Sequence, residues 1–219
     1  MGNLAIFDVD GTLINGQSQR ILTQFMFKYK RLSFFAYVKI ITFFVLYKFD
    51  LIKDVSNARK KFLKMFAGIN VVEIEGLFRK CFEEKIKPKI YQQAKELLNK
   101  HKEKGDEILL VSASLYHLLK YLQEYLGADY LFSTKLEVEG GVYTGRIDGE
   151  AVFGRKKIAI IQEFLRRKDL PYENIYAYTD NISDLPLLEF VSNPIVVNPG
   201  RKLRKIARKK NWQVYKLKY

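Results

Sequence analysis

Leu4-Ala5-Ile6-Phe7-Asp8-Val9-Asp10-Gly11-Thr12 is the stretch whose reading decides the fold. Residues 4–7 predict a short, fully buried strand. Two carboxylates, Asp8 and Asp10, follow it two positions apart. Burying a charge is costly unless a partner or a metal compensates. In an α/β fold the C-terminal end of a strand is also where chemistry is placed. Read as structure alone, the two aspartates would only cap a turn. The remainder of the chain argues against that.

Outward from this strand, residues 17–86 read as helix after helix with few turn signals, closed by Pro88. Residues 91–104 form an amphipathic pattern ending at Gly105. The pattern then changes to strands at 107–111, 130–134, 175–178 and 194–197, with a last short one at 213–215. Helices at 116–125, 156–167, 184–190 and 201–210 alternate with them. Gly140-Gly141 joins two alternating runs, 135–139 and 142–147, as a hairpin. Strands alternating with helices predict an α/β fold with a parallel sheet flanked by helices. An all-helical block after the first strand predicts an insertion. The expected division is a core of 1–14 and 87–219 with a helical cap of 15–86.

A chain of 219 residues that is 48% hydrophobic has a real core and is not disordered. The single cysteine, Cys81, excludes an internal disulfide framework and reads as a small buried hydrophobe. His101 and His117 lack metal-ligand spacing and read as surface or packing residues. Asp8 and Asp10 stand where a signal peptide needs an apolar stretch, and Ile6 stands where a myristoylation pattern needs Ser or Thr. The expected location is cytoplasmic. A net charge of +14 favours an anionic partner: nucleic acid, acidic phospholipid or a phosphorylated substrate. Residues 201–219 hold nine Lys or Arg and no acid, which fits either a solvated helix face or a surface-binding patch.

Residues 32–47 contain one charge, Lys39, with Lys28, Lys30 and Arg31 before and Lys48 after. The stretch falls short of the roughly 20 residues that span a bilayer. A single span would also put Asp8 and the other core strands on opposite sides of a membrane. Two readings stay open: a core helix of the cap, or an interfacial helix that dips Phe34, Phe35, Tyr37, Phe43, Phe44, Tyr47 and Phe49 into a membrane. The 14 Lys or Arg against 6 Asp or Glu in 15–86 suit an anionic bilayer surface, at the inner face of the membrane.

Four local features follow strands: Asp8-Val9-Asp10-Gly11-Thr12, Ser112 in Val111-Ser112-Ala113-Ser114, Lys157 after Gly154, and Asp180 with Asp184. If the strands are parallel neighbours, these groups gather at one sheet edge. Carboxylates crowded this way raise one another's pKa, and a hard divalent cation with oxygen ligands, Mg²⁺, relieves the repulsion. Such a pocket suits phosphoryl transfer.

The ordered set of these motifs, with Leu126-Gly127-Ala128-Asp129, Thr144-Gly145, Gly154-Arg155-Lys156-Lys157, Ser183-Asp184-Leu185-Pro186-Leu187-Leu188 and Val197-Asn198-Pro199, resembles the haloacid dehalogenase (HAD) superfamily of phosphohydrolases, in its phosphoserine phosphatase-like subfamily IB. The resemblance covers most of the core. It implies a Rossmann-like core with an inserted C1-type cap, and phosphomonoester hydrolysis through an aspartyl-phosphate. It implies Asp8 as nucleophile and Asp10 as general acid, then base. Asp8, Asp180 and the backbone carbonyl of Asp10 would hold Mg²⁺. Thr12, Ser112, Ala113 and Lys157 would bind the phosphoryl group, and Asp184 would orient Lys157 or the metal's waters. Lys156 is the rival for the lysine role, and the Gly-x-x-Lys spacing favours Lys157.

The chain departs from that pattern. Thr179 stands where the family has Gly, and Asn181 where Ser is common. Gln17 matches the cap Glu by which phosphoserine phosphatases bind the substrate ammonium, and Gly11 replaces a Ser. Both changes weaken the case for phosphoserine. The expected activity is a Mg²⁺-dependent phosphomonoesterase, on a membrane phospholipid phosphate or, alternatively, on a soluble metabolite such as phosphoserine. A non-catalytic basic module for anionic lipid or nucleic acid is the reading of another class. The intact carboxylates argue against it, and no nucleic-acid motif supports it.

Overall fold

The computed structural model describes residues 2–48, 62–168 and 171–218. Its strands are β1 (Leu4–Asp8), β2 (Glu107–Leu115), β3 (Tyr130–Glu139), β4 (Val142–Asp148), β5 (Ile175–Thr179), β6 (Asn193–Val197) and β7 (Gln213–Tyr215). They form one sheet in the order β4-β3-β2-β1-β5-β6-β7. All neighbours are parallel except β3 and β4. The helices are α1 (Ser18–Lys28), α2 (Phe34–Lys48), α3 (Val71–Cys81), α4 (Gln92–Glu103), α5 (Tyr116–Leu126), α6 (Arg155–Arg166), α7 (Leu185–Phe190) and α8 (Arg201–Lys209).

β1 lies between β2 and β5, with every residue buried. A strand covered on both faces reads as an uninterrupted apolar run, which is how residues 4–7 read. Its side chains divide by alternation. Ala5 and Phe7 pack with Leu22, Phe25, Phe66 and Phe78 of the helical block and with Leu98 of α4. Leu4 and Ile6 pack with Ile161, Leu187 and Leu203 on the other side. The inserted helices therefore share a core with one sheet face.

Two strands differ from the sequence expectation. β2 continues past Val111 to Leu115, so Ser112 and Ser114 lie inside it, and its register with β3 shifts between Ser112 and Leu115. Residues 130–134 and 135–139 form one strand, parallel to β2 in its first half and antiparallel to β4 in its second. No Gly or Pro separates the halves, so nothing breaks the strand. The Gly140-Gly141 turn has φ +56° and +78°, the positive values that a two-residue hairpin needs.

Backbone bonds carry the sheet on into the helical block. Gly68 N donates to Tyr143 O at 2.8 Å, and Tyr143 N donates to Ile69 O at 3.0 Å. Gly145, at φ +77°, faces this turn: a Cβ there would stand 3.0 Å from Ala67 Cβ, so glycine is required.

The histidines and the cysteine are packing residues. Buried His101 lies 2.7 Å from both Asp106 Oδ2 and Tyr178 Oη. His117 Nε2 accepts from Leu136 N at 3.3 Å, and Nδ1 lies 3.0 Å from Tyr143 Oη. Burial pushes the Cys81 thiol up to about 12. α8 buries Leu203 and Ala207 and leaves its cations on a solvated face. In α2, Ile40 is buried and Phe43 packs on the core, whereas Phe34, Phe35, Val38, Val45 and Leu46 are exposed. One face of this segment is thus a core face, as the first reading has it, and the other is open. Phe49 and the side chains of Phe44 and Tyr47 lie outside the described residues. Among those described, no helix is long and apolar enough to cross a membrane.

Candidate active site

The sheet order makes β2, β1 and β5 parallel neighbours, so their C-terminal ends share one edge. Asp8 ends β1, Ser112 and Ser114 stand near the end of β2, and Asp180 follows β5. Buried Lys157, from the first turn of α6, reaches across to this edge. Its Nζ donates to Asp8 Oδ1 and to Asp184 Oδ2, each at 2.7 Å. Asp8, Asp10, Ser112, Ala113, Lys157, Asp180, Asp184 and Gln17 all line one cavity of ≈ 270 Å³. Thr12 stands beside it, its Oγ1 3.4 Å from Asp180 Oδ1. Lys156, the rival lysine, instead pairs with Glu150 at 2.6 Å on the surface and does not line the cavity. A larger cavity, ≈ 690 Å³ around His101, Tyr176 and Trp212, contains none of these groups.

Asp10 is held from two elements. Ser18 N, at the start of α1, donates to Oδ1 at 2.7 Å. Ser114 Oγ donates to Oδ2 at 2.6 Å, and Ser18 Oγ does so at 3.2 Å. Thr179, the departure before Asp180, donates its hydroxyl to Asp184 Oδ2 at 2.7 Å and accepts from Asn181 N at 3.2 Å. Gly11, at φ +84°, admits Asp180: a Cβ there would lie 2.2 Å from Asp180 Oδ2.

The electrostatics follow from crowding and burial. Burial pushes Asp8 up to about 7, with Lys157 opposing and Asp184 adding to the rise. Burial raises Asp10 as well, against the bonds from Ser114 and Ser18. Burial and the charges of Asp8, Asp184 and Asp10 raise Asp180. Burial pulls Lys157 down, but Asp184 and Asp8 outweigh it and hold the ammonium above its usual range.

The donor chemistry fits a hard divalent cation: oxygen ligands only, buried, and repelling one another. Among the described residues no three acidic, His or Cys side chains are already drawn into a coordination cluster. Asp8, Asp10 and Asp180 line the same cavity.

The sequence alone assigns no role to Ser18, Ser114 or Thr179, nor to the wall residues Tyr91 and Phe153, and it reads Phe43 only as part of the apolar segment. Ser114 and Thr179 stood inside quoted motifs. Nothing in the sequence marked Ser18 or the wall.

A mostly parallel sheet with carboxylates, hydroxyls and a buried lysine at one edge, beneath inserted helices, places the chain among the α/β proteins that carry their chemistry at the strand ends. The model of the haloacid dehalogenase-like hydrolases matches residues 5–189. A phosphoserine phosphatase of Mycobacterium tuberculosis is 30% identical over 96% of this chain and 69% of its own length. A histidinol-phosphatase of Neisseria meningitidis serogroup C is 32% identical over the whole of both chains. A crystal structure from Bordetella pertussis Tohama I, described as a protein of unknown function, matches with a TM-score of 0.89 and 27% identity, over 98% of each chain. The chain belongs to the haloacid dehalogenase-like hydrolase family. It is a phosphatase of that family, a phosphoric monoester hydrolase.

Proposed function

We propose that this chain hydrolyses a small phosphate monoester in two half-reactions through Asp8, with Mg²⁺ bound by Asp8, Asp180 and the Asp10 backbone carbonyl. The observation that carries the reading is Lys157, held between Asp8 and Asp184 in a cavity shared with Asp10, Asp180 and Ser112. Asp8 attacks phosphorus, and the P–O bond to the leaving alcohol breaks. Asp10, raised by burial, carries the proton that the alcohol takes. The same carboxylate, now ionised, removes a proton from the water that attacks the aspartyl-phosphate and frees Asp8. Ser112, Thr12 and the backbone at Ala113 bind phosphoryl oxygens, and Lys157 offsets their charge. Asp184, with Thr179, positions Lys157. Mg²⁺, when bound, neutralises the crowded carboxylates and the phosphoryl charge.

The cavity volume suits a metabolite. Apart from the aspartates and Lys157 assigned above, its described wall is neutral, with Gln17, Gln19, Asn15, Phe43, Tyr91 and Phe153. It offers no cap carboxylate to a substrate ammonium. Both phosphoserine and the histidinol phosphate named for the Neisseria relative carry an ammonium, so the preference rests on the aromatic wall of Phe43, Tyr91 and Phe153, which favours a phosphomonoester with a planar or apolar body. The division into a core of 1–14 and 87–219 and a cap of 15–86, with Gln17 on the cap side, fits a lid that selects the substrate. A second reading, a phosphate on a membrane lipid, rests on Phe43: the helix that lines the cavity also has an exposed apolar face.

The test is phosphate release from phosphoserine, histidinol phosphate and vesicle-borne lysophosphatidate, each with Mg²⁺ and with EDTA. Turnover that EDTA abolishes and Asp8→Asn loses is expected, with the soluble aromatic ester preferred. Full activity of Asp8→Asn overturns the nucleophile assignment. Turnover of the vesicle substrate alone selects the lipid reading.

A further inference from the structure

The outer face of α2 is an unusual surface. Phe34 is 62% exposed and Phe35 85%, with Val38, Val45 and Leu46 also open. On a helix of 3.6 residues per turn these five fall within about 120° of arc. Ile40, 7% exposed, lies on the opposite side. The exposed start of the helix joins an aromatic cluster, with Phe27 stacked on Tyr37 at 4.2 Å and Phe34 6.4 Å from Phe27.

The charge along this stretch of the chain has one sign. Between Asp10 and Asp50 the sequence has no acidic residue, while Arg20, Lys28, Lys30, Arg31, Lys39 and Lys48 fall in that interval. Lys28 and Lys30 are exposed just before the helix, and Lys39 is exposed at the edge of the apolar arc. Arg31 is paired with Glu73 at 2.5 Å. A second copy of the chain would bring identical cations face to face across a two-fold interface, which like-charge repulsion disfavours. An apolar helical face with aromatic residues at one end and a cationic border matches the boundary of an anionic bilayer, with rings among the acyl chains and ammonium groups at the head groups.

We propose that the outer face of α2 docks on an anionic lipid bilayer, with Phe34 and Phe35 inserted and Lys28, Lys30 and Lys39 at the head groups. The docking itself needs no catalysis. Its meaning for the enzyme rests on the phosphatase reading of the cavity. Phe43 of the same helix lines that cavity, so docking holds the wall of the cavity within about one helix diameter, ~10 Å, of the lipid surface. Substrate then arrives from the membrane surface, or product is delivered to it.

Flotation of the full chain with phosphatidylcholine vesicles, with and without phosphatidylglycerol, tests this. Binding only to the anionic vesicles, weakened by salt, is the expected result. A Phe34→Ser/Phe35→Ser double variant should bind at least about tenfold more weakly, since two exposed rings no longer enter the lipid. Its Mg²⁺-dependent turnover of p-nitrophenyl phosphate in solution should stay unchanged, because neither ring is part of the cavity. The proposal is overturned by equal binding to neutral vesicles, by no binding at all, or by undiminished binding of the variant. It is also overturned if the wild type forms a dimer that the variant dissolves, which would assign the face to a second copy. No turnover by a protein that still binds vesicles would count against the catalytic reading alone.

Discussion

Ser18 Oγ lies 2.6 Å from Ser114 Oγ, and both hydroxyls reach the same oxygen of Asp10. One serine begins the first inserted helix and the other lies in β2. Asp10 is thus the point where the helical block and the sheet meet at the site. A shift of α1 relative to β2 would disturb its carboxylate directly.

Replacing these hydroxyls tests that coupling. Both stabilise the ionised form of Asp10 and oppose the rise caused by burial. Ser114→Ala should therefore raise the pKa of Asp10. As a general acid Asp10 would then stay protonated to higher pH, and the alkaline limb of the kcat/KM profile should move upward. A hydrogen bond to a charged group contributes about 1.5–3 kcal/mol, so kcat should fall about tenfold or more. Ser18→Ala should act in the same direction, and the double variant should cost less than the product of the two singles. A pH–rate profile of the three variants is the measurement. An unmoved alkaline limb would separate Asp10 from the proton transfer.

Gly11→Ala should impair the site while leaving the fold intact. The new Cβ would meet Asp180 Oδ2 at 2.2 Å, and φ +84° is strained for alanine. Asp180 must move away, and it is a proposed metal ligand. The Mg²⁺ concentration for half-maximal activity should rise about tenfold or more, the scale of effects seen when a metal's surroundings are displaced. Activity titrated against Mg²⁺, beside an unchanged circular dichroism spectrum, checks this.

His117 should make the protein sensitive to acid. Burial lowers its pKa from the ordinary 6.5 to about 4, and the Leu136 N–H donated to Nε2 requires a neutral ring. With that nitrogen accepting, Nδ1 carries the proton and donates to Tyr143 Oη. A folded pKa below the unfolded one means that the unfolded chain binds the extra proton. The stability is fully present above pH 6.5 and is lost as pH falls toward 4. The loss is about 2 kcal/mol after allowance for the ring's partial contact with water. Urea midpoints at pH 7 and pH 5 should differ more for the wild type than for His117→Gln.

Asp8, Asp180, Lys157 and Ser112 were legible because each stands at a fixed offset from a strand end or a helix start, and a parallel sheet brings such ends together. Ser18 was not, because its role depends on α1 folding back onto Asp10. Thr179 could be read only as a departure. Its value emerges when the hydroxyl is seen to hold Asp184 and the Asn181 backbone together. The facing of α2 was unreadable for another reason: a helix that is apolar all round has no pattern to say which side is covered. Phe43, Tyr91 and Phe153 meet at the cavity from three distant segments, and nothing local marks them.

The backbone bonds between Tyr143 and the Gly68–Ile69 turn also bear on how this chain behaves at high concentration. A β-sheet is open to adding strands from another molecule wherever its outermost strand presents bare N–H and C=O groups. Here the turn occupies part of β4 at one end. At the other end β7 is only three residues long, with Lys210 before it and Lys216 and Lys218 after. Both margins thereby offer less free edge for edge-to-edge growth. Weakening the 68–69 turn would expose a strand able to template fibrous association, a hazard separate from any loss of catalysis.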